Sequence, residues 1–540
     1  MSERRDPRER RVLIVGGGIT GLTLAHRLRS DLPSPPAIDL VEAAPDFGGK
    51  IATERQDGFV MEAGPDSFVT RKRPALELVR ELGLESRLRG TDPRHGRVLV
   101  LHKGRLVPLP EGMTLLVPTR LGPVLRTPLL SPWGKIRMAL DLVRPARRIG
   151  EGEGMDDESL AAFVRRRFGR EVLDTVAGPL LAGIHSADPE RLSLQATFPR
   201  FAEMEQRHGS LIRAMRRARA AHFRATQSAP SESPTRQIHD PARRLPSPTS
   251  ARMTLAGGMD ELVTALVDRL SGAPPEQMRL RPGCRLVALS RRGEDRDRAP
   301  VWVATVEEGS RGERSRLEVD AVVLATPAAA AARVLQAQEA ELSGPADKVA
   351  RFAASPSAIV SLGFRRADVP HALDAYGLVV PARERRHVTA CTWTSSKLGQ
   401  RAPEGHALLR IFLGGDRNRE LVAMDDDELI AIALREQAEI LGAPAGFGAP
   451  PVLARVHRVR GGNPLYEVGH GERLAETEAA CPPGLFFAGA AFHGVGIPDC
   501  IESARRTAAR IAGHLELKLD SNAGATGEIQ TMDGSLAVAS

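Results

Sequence analysis

The sequence predicts an α/β fold, and three observations predict it. A short β run, Arg11–Val15, leads straight into Gly16-Gly17-Gly18-Ile19-Thr20-Gly21. Helical periodicity follows over Ile19–Leu28, and a second apolar run, Ile38–Val41, ends on the acid Glu42. Near the other end, Leu485-Phe486-Phe487-Ala488 again precedes a Gly-rich turn and a helix from Asp499 to about Leu515. Strand, tight turn, helix and strand is the repeating unit of sheets flanked by helices.

Composition narrows the class. A chain of 540 residues has room for roughly two to four domains. Hydrophobic residues make up 42% and charged residues 26%, which excludes wholesale disorder. The four cysteines, Cys284, Cys391, Cys481 and Cys500, are too few for a disulfide scaffold and show no zinc-ligand spacing, so reduced thiols and no metal site are expected. The net charge is +8, yet only seven of the 75 basic residues are Lys. Aromatics are scarce and the Arg residues are scattered among 67 acids. Nucleic-acid binders cluster their charge and interleave it with aromatics. The balance therefore reads as an Arg bias or as a basic cleft for an acidic ligand, and no nucleic-acid partner is expected.

The remaining elements follow in order. Residues 75–84 read as an amphipathic helix, and 97–109 as a hairpin turning at Lys103-Gly104. Residues 112–150 are apolar but broken by Pro and Arg, which predicts short helices. Residues 156–182 have helical spacing. Residues 217–250 are rich in Ser, Pro, Ala and Arg with few large apolar side chains, and predict a disordered insertion. A Gly turn and helix span Leu255–Leu270. Strands are expected over 301–306 and 318–325, short strands and loops over 359–475, and a disordered tail over 519–540. Charged residues 2–11 precede an apolar run of only four, so no secretory leader is expected, and no run is long enough for a membrane span.

The motifs carry chemistry. Glu42 lies 21 residues after Gly21, where the ribose-binding acid of a dinucleotide fold belongs. Gly16, Gly18 and Gly21 let backbone approach a pyrophosphate, and Ile19 and Thr20 open a helix whose N–H groups face the anion. Ala43 follows Glu42, and then Gly48-Gly49-Lys50 supplies a second Gly pair and a cation. A simple nicotinamide unit does not need that pair; a longer dinucleotide such as FAD does. Gly64-Pro65-Asp66-Ser67 forms a further loop that can pass close to a flavin.

These residues resemble the FAD-dependent amine-oxidase-like superfamily. Its middle segment is matched by Gly257-Gly258-Met259, by the Cys284–Val287 strand, which places Val287 by the adenine, and by Ala321–Pro327, which contains Ala325. Its closing segment is matched by Gly489-Ala490 and by Gly494-Val495-Gly496-Ile497. Residues Ala177–His185, Asp188–Ser193, Phe198–Phe201 and Gly494–Cys500 narrow the resemblance to the oxygen-dependent protoporphyrinogen/coproporphyrinogen III oxidase family. His185 departs from it, since Tyr is common there.

The resemblance implies a discontinuous Rossmann-like FAD-binding domain with an inserted α+β substrate domain and a helical subdomain. The expected division is FAD-binding residues 10–90, 251–335 and 476–518, a hairpin and helical subdomain over 91–216, and a substrate-binding domain over 336–475. It implies FAD-dependent oxidation of a porphyrinogen by oxygen, giving hydrogen peroxide, in haem biosynthesis. Coproporphyrinogen III is slightly favoured over protoporphyrinogen IX. No catalytic acid or base is assigned, and His185, His470 and His493 read as structural. Arg97 is the candidate for substrate carboxylates, with Gly183 and Ile184 in the pocket wall. A cytoplasmic location is expected. Residues 112–145 carry apolar and basic side chains that leave a peripheral membrane contact open, and a partner enzyme of the haem pathway is equally open. The alternatives are another flavin oxidase or desaturase of the superfamily and, more remotely, a non-catalytic basic nucleic-acid-binding protein.

Overall fold

The computed structural model describes residues 10–114, 116–147, 157–228, 250–292, 301–309, 311–336, 340–459 and 461–517. The tail expected over 519–540 lies outside the described residues.

Five parallel strands form the first sheet, in the order Met278–Pro282, Ala37–Glu42, Arg11–Val15, Ala321–Leu324 and Leu485–Phe487. Three distant stretches of chain thus share one sheet. All of its strands but the edge strand Met278–Pro282 are buried on both faces, as their near-continuous apolar runs require. Val12 and Ile14 point to one side, where helices Ile19–Ser30, Asp260–Ser271 and Ile497–His514 cover them. Leu13 and Val15 point to the other, under the three-stranded antiparallel ribbon Cys284–Arg292, Val301–Glu308 and Glu313–Val319. The period of two along a strand makes that division.

The run 318–325, expected as one strand, is two. It breaks at Asp320, whose carboxylate accepts from the Arg11 backbone N–H at 2.7 Å. Glu318 and Val319 finish the ribbon, whereas Ala321–Leu324 enters the parallel sheet. Both halves are β-rich, so propensity does not mark the break.

A seven-stranded sheet forms the second body. Its order is Leu453–Arg458, Ser357–Arg365, His406–Gly414, Ala390–Trp393, Gly377–Val379, Val98–His102 and Arg105–Pro108. The last two strands are a hairpin turning at Lys103 (φ 54°) and Gly104 (φ 74°), the two left-handed residues that a tight primed turn requires. This hairpin joins the sheet by a parallel pairing of Val98–Val100 with Gly377–Val379.

Helices from Leu121 to Ser228 make the third body. Phe163, Phe168, Leu181, Phe201 and Ile212 fill its core. Arg167 is fully buried there, its Nε 2.7 Å from Asp141, which also accepts from Ser210 Oγ and Ile212 N. A buried guanidinium of this kind needs a partner and further hydrogen bonds. Helix Leu211–Ser228 runs through the start of the segment read as a disordered insertion from 217. Its Arg- and Ala-rich sequence is strongly helix-forming, which outweighs the low apolar content. Residues 229–249 of that segment lie outside the described residues.

Candidate active site

A cavity of about 2270 Å³ runs between the three bodies. One end is the turn after strand Arg11–Val15. Gly16 has φ +110°, and a Cβ on it would sit 2.7 Å from the Ala325 carbonyl oxygen. A Cβ on Gly21 would collide with the Gly16 carbonyl. These two glycines therefore pack the turn against its neighbours. Gly18 differs: nothing lies nearer than 3.9 Å to the place its Cβ would occupy. It is the N-cap of helix Ile19–Ser30, with no side-chain cap, so the helix terminus opens on the cavity through Gly18, Ile19 and Thr20.

Glu42 closes its strand beside this turn. Its Oε2 accepts from Gly17 N and its Oε1 from Ala44 N, each at 2.8 Å. That fixes the carboxylate on the cavity wall, which Ala43, Val287 and Ala325 also line, with lone pairs left for ribose hydroxyls. Gly48, Gly49 and Lys50 line the same stretch. Burial pushes the Lys50 ammonium down to about 8, and no carboxylate pairs with it among the described residues. A buried lysine without an acid, beside an uncapped helix terminus, suits a phosphate. These residues fit the pyrophosphate and ribose of FAD.

Gly64, Pro65, Asp66 and Ser67 line the next part of the wall. Burial alone would raise the Asp66 carboxyl. The Lys397 ammonium and the Arg410 guanidinium together hold it well below the usual carboxylate range. Lys397 Nζ lies 2.9 and 2.8 Å from the two Asp66 oxygens. Arg410 lies 3.5 Å from the same carboxylate, donates to the Gly64 carbonyl and stacks over Phe412. Its Nε, also buried, has no hydrogen-bond partner. Sequence reasoning missed Lys397 and Arg410. Neither sits in a motif, and each is more than 300 residues from its partner.

The closing glycine segment is more mixed. Val495 and Ile497 line the cavity, whereas Gly489, Gly494 and Gly496 are not among its lining residues. Gly489 N donates to Ser503 Oγ at 2.9 Å, and Gly494 N donates to the Tyr466 hydroxyl. Those two N–H groups are thus satisfied within the protein, not aimed at a ligand. Tyr466 stacks on His470 at 4.0 Å, and His470 Nε2 lies 2.9 Å from the Phe492 carbonyl. This cluster braces the turn from behind.

The far end of the cavity is apolar. Leu180 and Gly183 of helix Gly178–His185 face Val379, Ala390 and Phe412 of the seven-stranded sheet. Ile184 belongs to the same helix, and its side chain lies outside the described residues. A π-helical turn, Leu173–Ala177, precedes this helix. Arg97 falls between the lining residues Gly96 and Val98 but does not itself line the cavity. Its exposed guanidinium is engaged by Asp374. Other cations do reach the wall: Arg71, Arg200 and Arg252.

Comparison with known proteins places the chain. Residues 19–512 match the family of flavin containing amine oxidoreductases. The chain belongs to this family. The cofactor of this flavin oxidoreductase is FAD, and the fold is that of the amine-oxidase-like flavoproteins. A coproporphyrinogen III oxidase of Bacillus subtilis (strain 168) is 33% identical, covering 92% of this chain and 97% of the relative. A protoporphyrinogen oxidase of Bos taurus is 29% identical over 93% of this chain and 98% of its own. A crystal structure from Exiguobacterium sp. 255-15 superposes with a TM-score of 0.76 at 29% identity, covering 94% of this chain and 99% of that one. When bound, the flavin supplies two-electron oxidation. Gly18 and Lys50 would hold its phosphates and Glu42 its ribose, with the apolar end of the cavity beyond Asp66.

Proposed function

We propose that the chain oxidises a porphyrinogen to the conjugated porphyrin in haem biosynthesis, with coproporphyrinogen III preferred. The carrying observation is the single cavity that joins the dinucleotide cradle to a wide apolar chamber with cations on its wall. A macrocycle is flat and apolar with charged carboxylates at its edge, so it needs that combination. The chemistry is placement: a ring carbon must meet the flavin at near-attack distance in a water-poor site. The names of the relatives support the substrate class, and the higher identity to the coproporphyrinogen III oxidase supports the preference. Six electrons leave the porphyrinogen, so three oxygen molecules are consumed and three hydrogen peroxide molecules form.

The reaction is read as cytoplasmic, with a peripheral contact at a membrane surface or with another enzyme of the pathway. Among the described residues, no helix is long and apolar enough to cross a membrane. The stretch 112–145 divides its apolar side chains between core and surface. Val124, Leu129, Leu130 and Met138 are core, while Leu125 (66% exposed), Trp133 (73%), Ile136 (53%) and Val143 (74%) face outwards.

The test is direct. The purified protein should be yellow, turn coproporphyrinogen III fluorescent in air and release about three peroxides per porphyrin, as the electron count requires. A colourless protein that cannot be reconstituted with FAD, or peroxide release with an amine but not with a porphyrinogen, would overturn the reading.

A further inference from the structure

We propose that Arg71, Arg200 and Arg252 form a carboxylate-binding rim that selects a tetracarboxylate macrocycle over a dicarboxylate one. The inference rests on the porphyrinogen reading above and adds the residues that choose between its two substrates.

Three elements bring these guanidinium groups together. Strand Phe68–Val69 pairs antiparallel with strand Arg252–Leu255, placing Arg252 opposite Val69. The Thr70 N–H bonds the Ala251 carbonyl at 3.1 Å, so Arg71 and Arg252 leave adjacent chains within a step of each other. Arg200 arrives from the helical body, in the first turn of helix Pro199–His208. All three line the cavity.

Their charges form no ion pair among the described residues. Many other arginines are paired: Arg87 with Glu261, Arg191 with Glu467, Arg458 with Asp426. Among the described residues, no carboxylate bridges Arg71, Arg200 or Arg252. Asp499 comes closest in sign and position, but Lys72 takes it. Burial, then the charges of Arg200 and Arg252, depress the Arg71 pKa, with Asp499 acting the other way. Three like charges held together in this way favour an anion that would relieve them.

The two candidate substrates differ where this matters. Coproporphyrinogen III carries two carboxylates in positions where protoporphyrinogen IX has vinyl groups. A vinyl edge would leave guanidinium groups desolvated and unpaired, whereas a carboxylate edge pairs them. Sites built for a charged group reject the analogue lacking it more strongly than apolar pockets reject a size difference. The Asp66, Lys397 and Arg410 cluster already contains its own acid, whereas the three rim arginines do not.

The experiment compares Arg71→Gln, Arg200→Gln, Arg252→Gln and the three Arg→Lys variants on both porphyrinogens, each checked for bound flavin. Binding of the products coproporphyrin III and protoporphyrin IX is followed in parallel by fluorescence quenching. Each Arg→Gln change should raise KM for coproporphyrinogen III about ten-fold, the scale of one charged hydrogen bond, with a smaller rise for protoporphyrinogen IX. Affinity for coproporphyrin III should weaken in step, and the Lys variants should recover part of the loss. Equal effects on both substrates, or none, would overturn the rim. If the unaltered protein oxidises neither porphyrinogen, the functional reading itself fails, and the two failures are thereby distinguished.

Discussion

Lys397 donates to both carboxylate oxygens of Asp66, at 2.9 and 2.8 Å, across 331 residues of sequence. This pair ties the loop Gly64–Ser67 to the short helix Thr394–Leu398, and Arg410 reinforces it from strand His406–Gly414 of the seven-stranded sheet. The wall of the active site is therefore also the joint between two bodies of the fold.

Asp66→Asn should loosen that joint. It leaves two buried cations facing a neutral amide, and breaking a buried pair costs about 3–5 kcal/mol. Urea unfolding followed by circular dichroism measures the loss. A change within about 0.5 kcal/mol, the range of ordinary surface substitutions, would mean that the pair does not brace the fold.

The same pair sets an acid limit. Asp66 has a lower pKa folded than unfolded, so its contribution is complete above the unfolded carboxylate value of about 4. It is lost progressively as pH falls from there towards the folded value. Stability should decline below about pH 4 in the unaltered protein, and Asp66→Asn should lack that part of the decline. Parallel melting curves between pH 6 and 3 would decide against it.

Lys50 should make FAD affinity pH-dependent. Its ammonium titrates near 8 in the free cradle, and only the charged form attracts a phosphate. Affinity of the apoprotein for FAD should therefore fall as pH rises through about 8. Lys50→Met should weaken binding by about ten- to hundred-fold at neutral pH, the scale of a charge-assisted hydrogen bond, and flatten the pH profile. Titration of flavin fluorescence at several pH values measures both effects.

Gly18→Ala separates folding from cofactor binding. The added methyl meets no protein atom closer than 3.9 Å, so the apoprotein should melt as before. The methyl does enter the cradle at the helix terminus, so FAD affinity should drop. Loss of the fold in this variant would place Gly18 with the packing glycines Gly16 and Gly21 instead.

The outward apolar side chains of residues 125–143 make the peripheral contact testable. Replacing Trp133 and Leu125 by Ser should abolish sedimentation with phosphatidylglycerol vesicles and leave porphyrinogen turnover in detergent-free buffer intact. Absence of vesicle binding in the unaltered protein would refute the membrane contact.

Local chemistry made much of the candidate cofactor site readable. Gly16, Gly18, Glu42, Gly48 and Lys50 follow one another within one strand–helix–strand unit, and the residue types are dictated by turn geometry and by the anion. The limits were equally physical. The break at Asp320 is invisible to β propensity, because both flanking strands use the same apolar residues. Helix Leu211–Ser228 outlasts its apolar pattern because Arg and Ala favour helix on their own. Arg97 looked apt as a strand-end cation, but Asp374 engages it at the surface.

The sequence by itself determined the α/β class and the family and pointed to a candidate dinucleotide cradle, because each of these is carried by short motifs of residues close along the chain. Only the tertiary structure decided what faces that cradle. Asp66 met Lys397 and Arg410, and Arg71 met Arg200 and Arg252, through sheet pairing and interbody packing that join segments over a hundred residues apart. Such contacts depend on burial and charge in three dimensions, and no spacing along the chain encodes them.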